Sequence, residues 1–227
     1  ISLAKIAGLD TISMHEIGAM ARLGALTTSD SVHPLIASAA SKIASSLVRN
    51  NATVGGNICL DTRCFWINQS EDWRRSIDWC HKEDCGTGSD CRVIPNQNTL
   101  CVATYQGDLA PSLIVLEGTI HIIGPHGPRE VPAEAFFQLD GITRNILEEG
   151  EFVLKVTFPQ GVENRVGSYK KLRVRESWDF PEAGVASSWI RGDPSSLRIA
   201  STALESIPRS HQAEIDAFDE SFSSELI

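Results

Sequence analysis

The chain has 227 residues, 42% of them hydrophobic, with Lys+Arg 20 against Asp+Glu 29 and a formal charge of −9. That length allows one large domain or two modest ones with a buried core, and the negative balance opposes binding to nucleic-acid phosphates or anionic lipid. No apolar run approaches the roughly 20 residues that span a bilayer, so neither nucleic acid nor membrane is expected as a partner.

In chain order, residues 1–25 alternate apolar positions with scattered glycines, which predicts short strands in a packed sheet. Thr28, Ser29 or Asp30 can cap a helix through Ile36, Ala40, Ile43, Ala44 and Leu47, apolar positions at helical spacing. Thr53-Val54-Gly55-Gly56-Asn57 reads as a tight glycine turn. From there to Cys101 neither a helical nor a strand period is sustained, and the stretch holds Trp66, Trp73 and Trp79. An insert of that length in a compact domain calls for something other than secondary structure to organise it, and a metal cluster would serve.

Residues 109–116 predict a short helix with Pro111 in its first turn. Two strand patterns flank Gly124-Pro125-His126-Gly127-Pro128, a hairpin signal, and residues 152–158 form a further strand stopped by Pro159. A second unit is expected from about Gly161. It comprises a strand through Tyr169 and Leu172, a strand over 184–191, a turn at Gly192-Asp193-Pro194-Ser195, a strand over 197–200 and a polar helical tail after Pro208. The chain thus divides into 1–160 and 161–227, the latter a small α+β domain with a three-stranded sheet. Because the sequence begins at Ile1 rather than Met and stops as abruptly at Ile227, it is expected to be a fragment lacking both ends.

Two features carry chemistry. Glycines at 55 and 56 remove the Cβ atoms that would keep an anion from the backbone, although a plain tight turn explains the same pair equally well. Of the six cysteines, Cys64, Cys80, Cys91 and Cys101 are spaced by fifteen, ten and nine residues, with Cys59 and Cys85 left over. A chain that builds its own core has little need of disulfide staples, which favours metal ligation in a reducing compartment. Zinc modules usually offer C-x-x-C pairs and bacterial ferredoxins a compact cysteine run; neither is present, so the spacing leaves iron-sulfur, zinc and disulfides open with iron-sulfur ahead. His81, beside Cys80, is the one histidine placed to be a ligand, though a supporting position suits it better. No Ser-His-Asp or Cys-His set can be assembled, so no catalytic residue is expected.

Arg49-Asn50-Asn51-Ala52-Thr53-Val54-Gly55-Gly56-Asn57, then Gly107-Asp108-Leu109-Ala110-Pro111, Glu151-Phe152-Val153 and Tyr169-Lys170-Lys171, occur in an order that resembles the FAD-binding subunit of the molybdenum hydroxylases, the xanthine dehydrogenase and carbon monoxide dehydrogenase family. Within it, Cys59-Leu60-Asp61-Thr62-Arg63-Cys64, Asn68-Gln69-Ser70, Trp73-Arg74 and the later cysteines are similar to the 4-hydroxybenzoyl-CoA reductase β-subunit branch, which carries an additional iron-sulfur loop. The resemblance implies an α+β fold: the second half of a two-part α/β FAD-binding domain of the PCMH type with a cysteine-rich insert over about 60–102, then a truncated α+β domain. It implies FAD contacts at Thr53, Gly55, Gly56, Asn57, Asp108 and Lys170, and a 4Fe-4S cluster on Cys64, Cys80, Cys91 and Cys101. It further implies a cytoplasmic oxidoreductase subunit working with a molybdenum-cofactor subunit, a 2Fe-2S subunit and a ferredoxin-like electron donor. The alternatives are an FAD subunit of another oxidoreductase of this type and a zinc-stabilised interaction module without catalysis. The family's first phosphate loop lies upstream of Ile1, so the chain alone is expected to hold FAD weakly.

Overall fold

The computed structural model describes residues 3–82, 90–96 and 100–217. A short 3-10 turn at Leu3–Lys5 leads to strand β1 (Glu16–Gly18), and helices α1 (Leu23–Leu26), α2 (Pro34–Ser41), α3 (Ser46–Arg49) and α4 (Val54–Ile58) follow. Next come α5 (Glu71–Ser76), α6 (Leu109–Val115), the hairpin β2 (Thr119–Gly124) and β3 (Gly127–Pro132), and β4 (Phe152–Thr157). The chain continues through β5 (Arg165–Leu172), β6 (Ala183–Ile190), β7 (Asp193–Thr202), β8 (Arg209–Ser210) and α7 (Gln212–Asp216).

The strands form two four-stranded sheets, ordered β1-β4-β2-β3 and β5-β6-β7-β8, in which every pairing is antiparallel. Sheets with helices segregated to one face make the fold α+β. Helices α2 and α6 pack against the second sheet, and α4 lies against β1, β4 and α6. A single buried cluster joins the layers, with Ile17, Ile120, Val153 and Val156 from the first sheet, Leu35, Ile36, Leu109 and Leu113 from the helices, and Tyr169, Ala186 and Ala200 from the second. Burying these side chains, at about 25 cal/mol per Å² of apolar surface, is what holds the two sheets to one another.

Several local expectations are corrected. The opening residues supply only one strand of three residues rather than several, and Leu23–Leu26 is helical. The helix expected from residue 28–30 through Leu47 begins at Pro34, where the His33 ring accepts a hydrogen bond from the Leu35 amide at 3.1 Å, and it ends at Ser41. Ala44, with φ at 40°, takes the left-handed conformation that breaks a helix, and Ser45 then caps the separate α3. The Thr53–Asn57 run is not a tight turn: Thr53 Oγ1 accepts from the Gly56 amide at 3.1 Å and starts α4. The second sheet has four strands rather than three, because the two residues of β8 add an edge, and β7 begins at Asp193, inside the expected turn. Helix α6, the hairpin and β4 lie where the sequence predicts them.

The cysteine-rich insert is closed at its base by a two-bond bridge, Arg63 N to Thr104 O and Thr104 N to Arg63 O, both 2.8 Å. Inside it, Ser70 caps α5, while long cationic side chains serve backbone carbonyls that no strand reaches. Arg74 donates to Ile67 O at 2.9 Å, and Arg92 donates to Trp79 O at 2.7 Å and Asp78 O at 2.9 Å. Phe65, Trp66 and Trp73 stack around one another with ring centroids 5.5–6.0 Å apart. Cys85 lies outside the described residues.

Candidate functional site

Two sites stand out, one beside the insert and one within it. The first is a cavity of about 380 Å³ beside α4, within the usual range of small-molecule sites. Thr53, Gly56, Asn57 and Asp108 line it, along with Lys171, Gln106 and the aromatic pair Trp178 and Phe180 from the loop between β5 and β6. Gly55 does not face this cavity. A Cβ there would lie 2.9 Å from the Ala19 Cβ, so its glycine lets α4 seat against the chain beyond β1. Gly56 is the open one: an added Cβ would meet only Thr53 Oγ1, at 3.1 Å.

The amides of this run are not free for an anion. Val54 N donates to Ala21 O at 3.0 Å, Gly55 N to Ala19 O at 2.8 Å, Gly56 N to Thr53 Oγ1 and Asn57 N to Thr53 O at 3.0 Å. What α4 offers a ligand is a bare Gly56 face and polar side chains rather than an amide cradle. Asn57 has a structural duty too, since its Oδ1 accepts from the Leu109 amide at 3.2 Å and so fixes the start of α6 against the end of α4. Tyr105 Oη, buried, shares its one hydrogen across the same junction between the carbonyls of Asn57 and Ile58, each at 3.0 Å.

Asp108 sits at the N-terminus of α6 and accepts from Tyr169 Oη at 2.7 Å and from Lys171 Nζ at 3.1 Å. The Asp108 and Lys171 side chains are only 4% and 2% exposed. Burial works against charge on both, raising the carboxyl above its ordinary range and lowering the ammonium, with mutual attraction opposing each shift. Burial also raises the Tyr169 hydroxyl, which therefore stays a donor. Lys170 is exposed on the opposite side of β5, so Lys171 is the lysine that reaches the cavity. The period of two along a strand carries this signal, because Lys171 shares parity with the buried Tyr169 and Lys170 does not. Trp178 and Phe180 had no such signal in the irregular loop that holds them.

The second site is in the insert. Cys64, Cys80, Cys91 and Cys101, separated in sequence, line one small cavity together with Trp66, His81, Lys82 and Arg92. Cys80, Cys91 and Cys101 are buried and Cys64 is partly exposed. The Ile67 amide points to Cys64 Sγ at 3.5 Å and the Ala103 amide to Cys101 Sγ at 3.4 Å. Burial pushes the Cys101 thiol up, opposed by the Ala103 amide and the Lys82 ammonium. His81 Nε2 is buried on this wall without a hydrogen-bond partner among the described residues. No three His, Cys, Asp or Glu side chains among the described residues close to the geometry of a single metal ion. That absence and the shared cavity are compatible, because a tetrahedral zinc-thiolate site needs its sulfurs within about 4 Å of one another, whereas a cuboidal cluster binds each cysteine to a different iron. The free space among these side chains is about 10 Å³, room for one water and less than a cuboidal cluster would occupy. Cys59 does not line this cavity; burial pushes its thiol up to about 11, which disfavours the reactive thiolate.

The model of the family described as the FAD binding domain in molybdopterin dehydrogenase matches residues 1–161. The chain is 27% identical to the aldehyde oxidoreductase FAD-binding subunit PaoB of Escherichia coli (strain K12), over 79% of this chain and 60% of that protein. It is 28% identical to the carbon monoxide dehydrogenase medium chain of Hydrogenophaga pseudoflava, over 75% of this chain and 45% of that one. It therefore spans about half of the length of these curated relatives. Among solved structures, carbon monoxide dehydrogenase from Hydrogenophaga pseudoflava lacking the Mo-pyranopterin moiety superposes with TM-score 0.64 at 25% identity, covering 91% of this chain and 60% of that one. Quinoline 2-oxidoreductase from Pseudomonas putida 86, at 19% identity and TM-score 0.60 over 89% of this chain and 57% of that one, shares the fold. With a match across residues 1–161 and an α+β architecture common to these structures, the chain belongs to the family of FAD-binding domains of molybdopterin dehydrogenases.

Proposed function

We propose that the chain is the flavin-binding, electron-transferring part of a molybdenum hydroxylase complex and that it carries a 4Fe-4S cluster on Cys64, Cys80, Cys91 and Cys101. The observation that carries the cluster is the convergence of these four cysteines on one cavity, with His81 Nε2, unpartnered among the described residues, and the cations Lys82 and Arg92 on its walls. Four thiolates add negative charge, and cations and amides directed at sulfur are what stabilise it.

For FAD, the proposed contacts are Thr53, Gly56, Asn57 and Asp108, with Gly55 serving close packing and Lys171 in place of Lys170. FAD, when bound, would exchange electrons one or two at a time and so join single-electron and two-electron carriers. Residues 1–160 would form its domain and 161–227 a second one, whose β5 brings Lys171 to the cavity wall and Tyr169 into a hydrogen bond with Asp108.

The complex we favour is a cytoplasmic 4-hydroxybenzoyl-CoA reductase. Electrons from a ferredoxin-like donor would pass through the cluster, FAD and a separate 2Fe-2S subunit to a molybdenum subunit that removes the hydroxyl of the CoA thioester. The cysteine insert and its flanking motifs support this reading. A second reading is an FAD subunit of another complex of this type, favoured by relatives described as aldehyde oxidoreductase and carbon monoxide dehydrogenase subunits. Anaerobic purification followed by elemental analysis tests the cluster: about four iron and four acid-labile sulfide per chain are expected. One zinc per chain without sulfide would replace the reading with a zinc-stabilised module. Reductive dehydroxylation of the thioester by the assembled complex separates the two enzymes.

A further inference from the structure

We infer that Lys82 holds the cysteine cavity together and sets its charge, an inference that rests on the cluster reading above. Lys82 lines the cavity, and its side chain is 10% exposed. Its Nζ lies 2.6 Å from Thr62 Oγ1, 2.8 Å from Gly141 O, 2.9 Å from Asp61 Oδ1 and 3.2 Å from Thr62 O. An ammonium has three hydrogens to give, and here four acceptors compete for them.

Asp61 and Thr62 lie beside one proposed ligand, and Gly141 is bonded to another. Asp61 and Thr62 run directly into Cys64. Gly141 donates its amide to Cys101 O at 2.8 Å, and a Cβ on Gly141 would lie 2.7 Å from Cys101 Sγ, so this bare backbone rests on the sulfur. Lys82 itself follows Cys80 by two residues, and the His81 amide donates to Asp90 O at 3.2 Å, next to Cys91. One cation thus ties the Cys80 and Cys64 segments directly and the Cys101 segment through Gly141, while the neighbouring His81 amide holds the Cys91 segment.

The same ammonium is a positive charge beside a group that gains an electron on reduction, so it favours the reduced form. Asp61, half exposed and also 3.5 Å from Arg144, offsets part of that charge. An ordinary lysine that only satisfies loop carbonyls would affect folding and leave redox behaviour alone.

The test uses the full chain loaded anaerobically with ferrous iron and sulfide, in the native form and as Lys82→Met and Asp61→Asn. Lys82→Met is expected to lose iron to a chelator about 10- to 100-fold more readily and to show a more negative midpoint potential. Asp61→Asn, which removes a carboxylate from the rim, is expected to keep its iron and show a less negative potential. Native iron retention and potential in Lys82→Met, or shifts of one sign in both variants, would overturn the inference. If Lys82→Met does not fold, Asp61→Asn decides, and an unshifted potential there counts against it. A native chain that takes up no iron and sulfide would instead bring down the cluster reading, and this inference with it.

Discussion

Replacing Asp108 by alanine removes the carboxylate that is hydrogen-bonded to Lys171 in the wall of the large cavity and leaves Asp179 as the other carboxylate lining it. The Lys171 ammonium, 2% exposed, would keep the Lys42 carbonyl at 3.0 Å and the weaker attraction of Asp179, and the buried Tyr169 hydroxyl would lose its 2.7 Å acceptor. Breaking one side of a buried pair typically costs about 3–5 kcal/mol, because the remaining charge is left uncompensated. The lost tyrosine bond belongs to the same network and does not add in full. Asp108→Asn retains an acceptor for Tyr169 and should cost about half as much. Equilibrium urea unfolding, read by tryptophan fluorescence, measures this as a fall in midpoint at unchanged slope. Because burial opposes charge on both partners, the double variant Asp108→Leu/Lys171→Met should be more stable than Asp108→Ala alone. A loss below about 1 kcal/mol in Asp108→Ala would mean that Lys171 reaches water. Strict additivity of Asp108→Leu and Lys171→Met, each made singly and then together, would mean that the two side chains are not coupled, and either result refutes the reasoning.

Serine at Cys64, Cys80, Cys91 or Cys101 should degrade the cluster while flavin binding survives, whereas Cys59→Ser and Cys85→Ser should leave iron content unchanged; equal loss at Cys85 would refute the ligand set. Gly56→Val should crowd Thr53 Oγ1 and fill the open face of α4, so FAD content is expected to fall sharply in a chain extended upstream while cluster iron persists. Gly55→Ala should lower stability rather than flavin affinity, since its Cβ meets Ala19, and thermal unfolding set against FAD titration distinguishes the two. Burial holds the His33 imidazole below its ordinary value of about 6.5, with its hydrogen bond to Arg165 O opposing the shift. The folded state therefore resists protonation. The stability this contributes is present above about pH 6.5 and is lost as pH falls from there through the folded value. A His33→Asn chain, which keeps a capping side chain, should show a flatter thermal midpoint between pH 7.5 and 5.

Elements whose cause is local were legible from sequence. The 109–115 helix follows from Pro111 in its first turn, the 119–132 hairpin from two strand patterns about a Gly-Pro turn, and β4 from an apolar run stopped by Pro159. The order of the family's motifs likewise survives in the chain itself. What the chain could not show is how distant segments share their polar groups. Gly55 and Gly56 look equivalent in sequence, yet a Cβ at one would meet Ala19 while the other opens on the cavity lined by Asp108 and Lys171, because only the packing of α4 on the first sheet distinguishes them. Lys170 and Lys171 were separated by strand parity once β5 was seen to bury Tyr169. The four cysteines, spread over 38 residues, became one site through the bridge at Arg63 and Thr104 and the side chains of Lys82 and Arg92. Periodicity and turn chemistry act over a few residues and can be read along the chain. Burial, charge pairing and the convergence of ligands depend on contacts between segments far apart in sequence, and those exist only once the chain has folded.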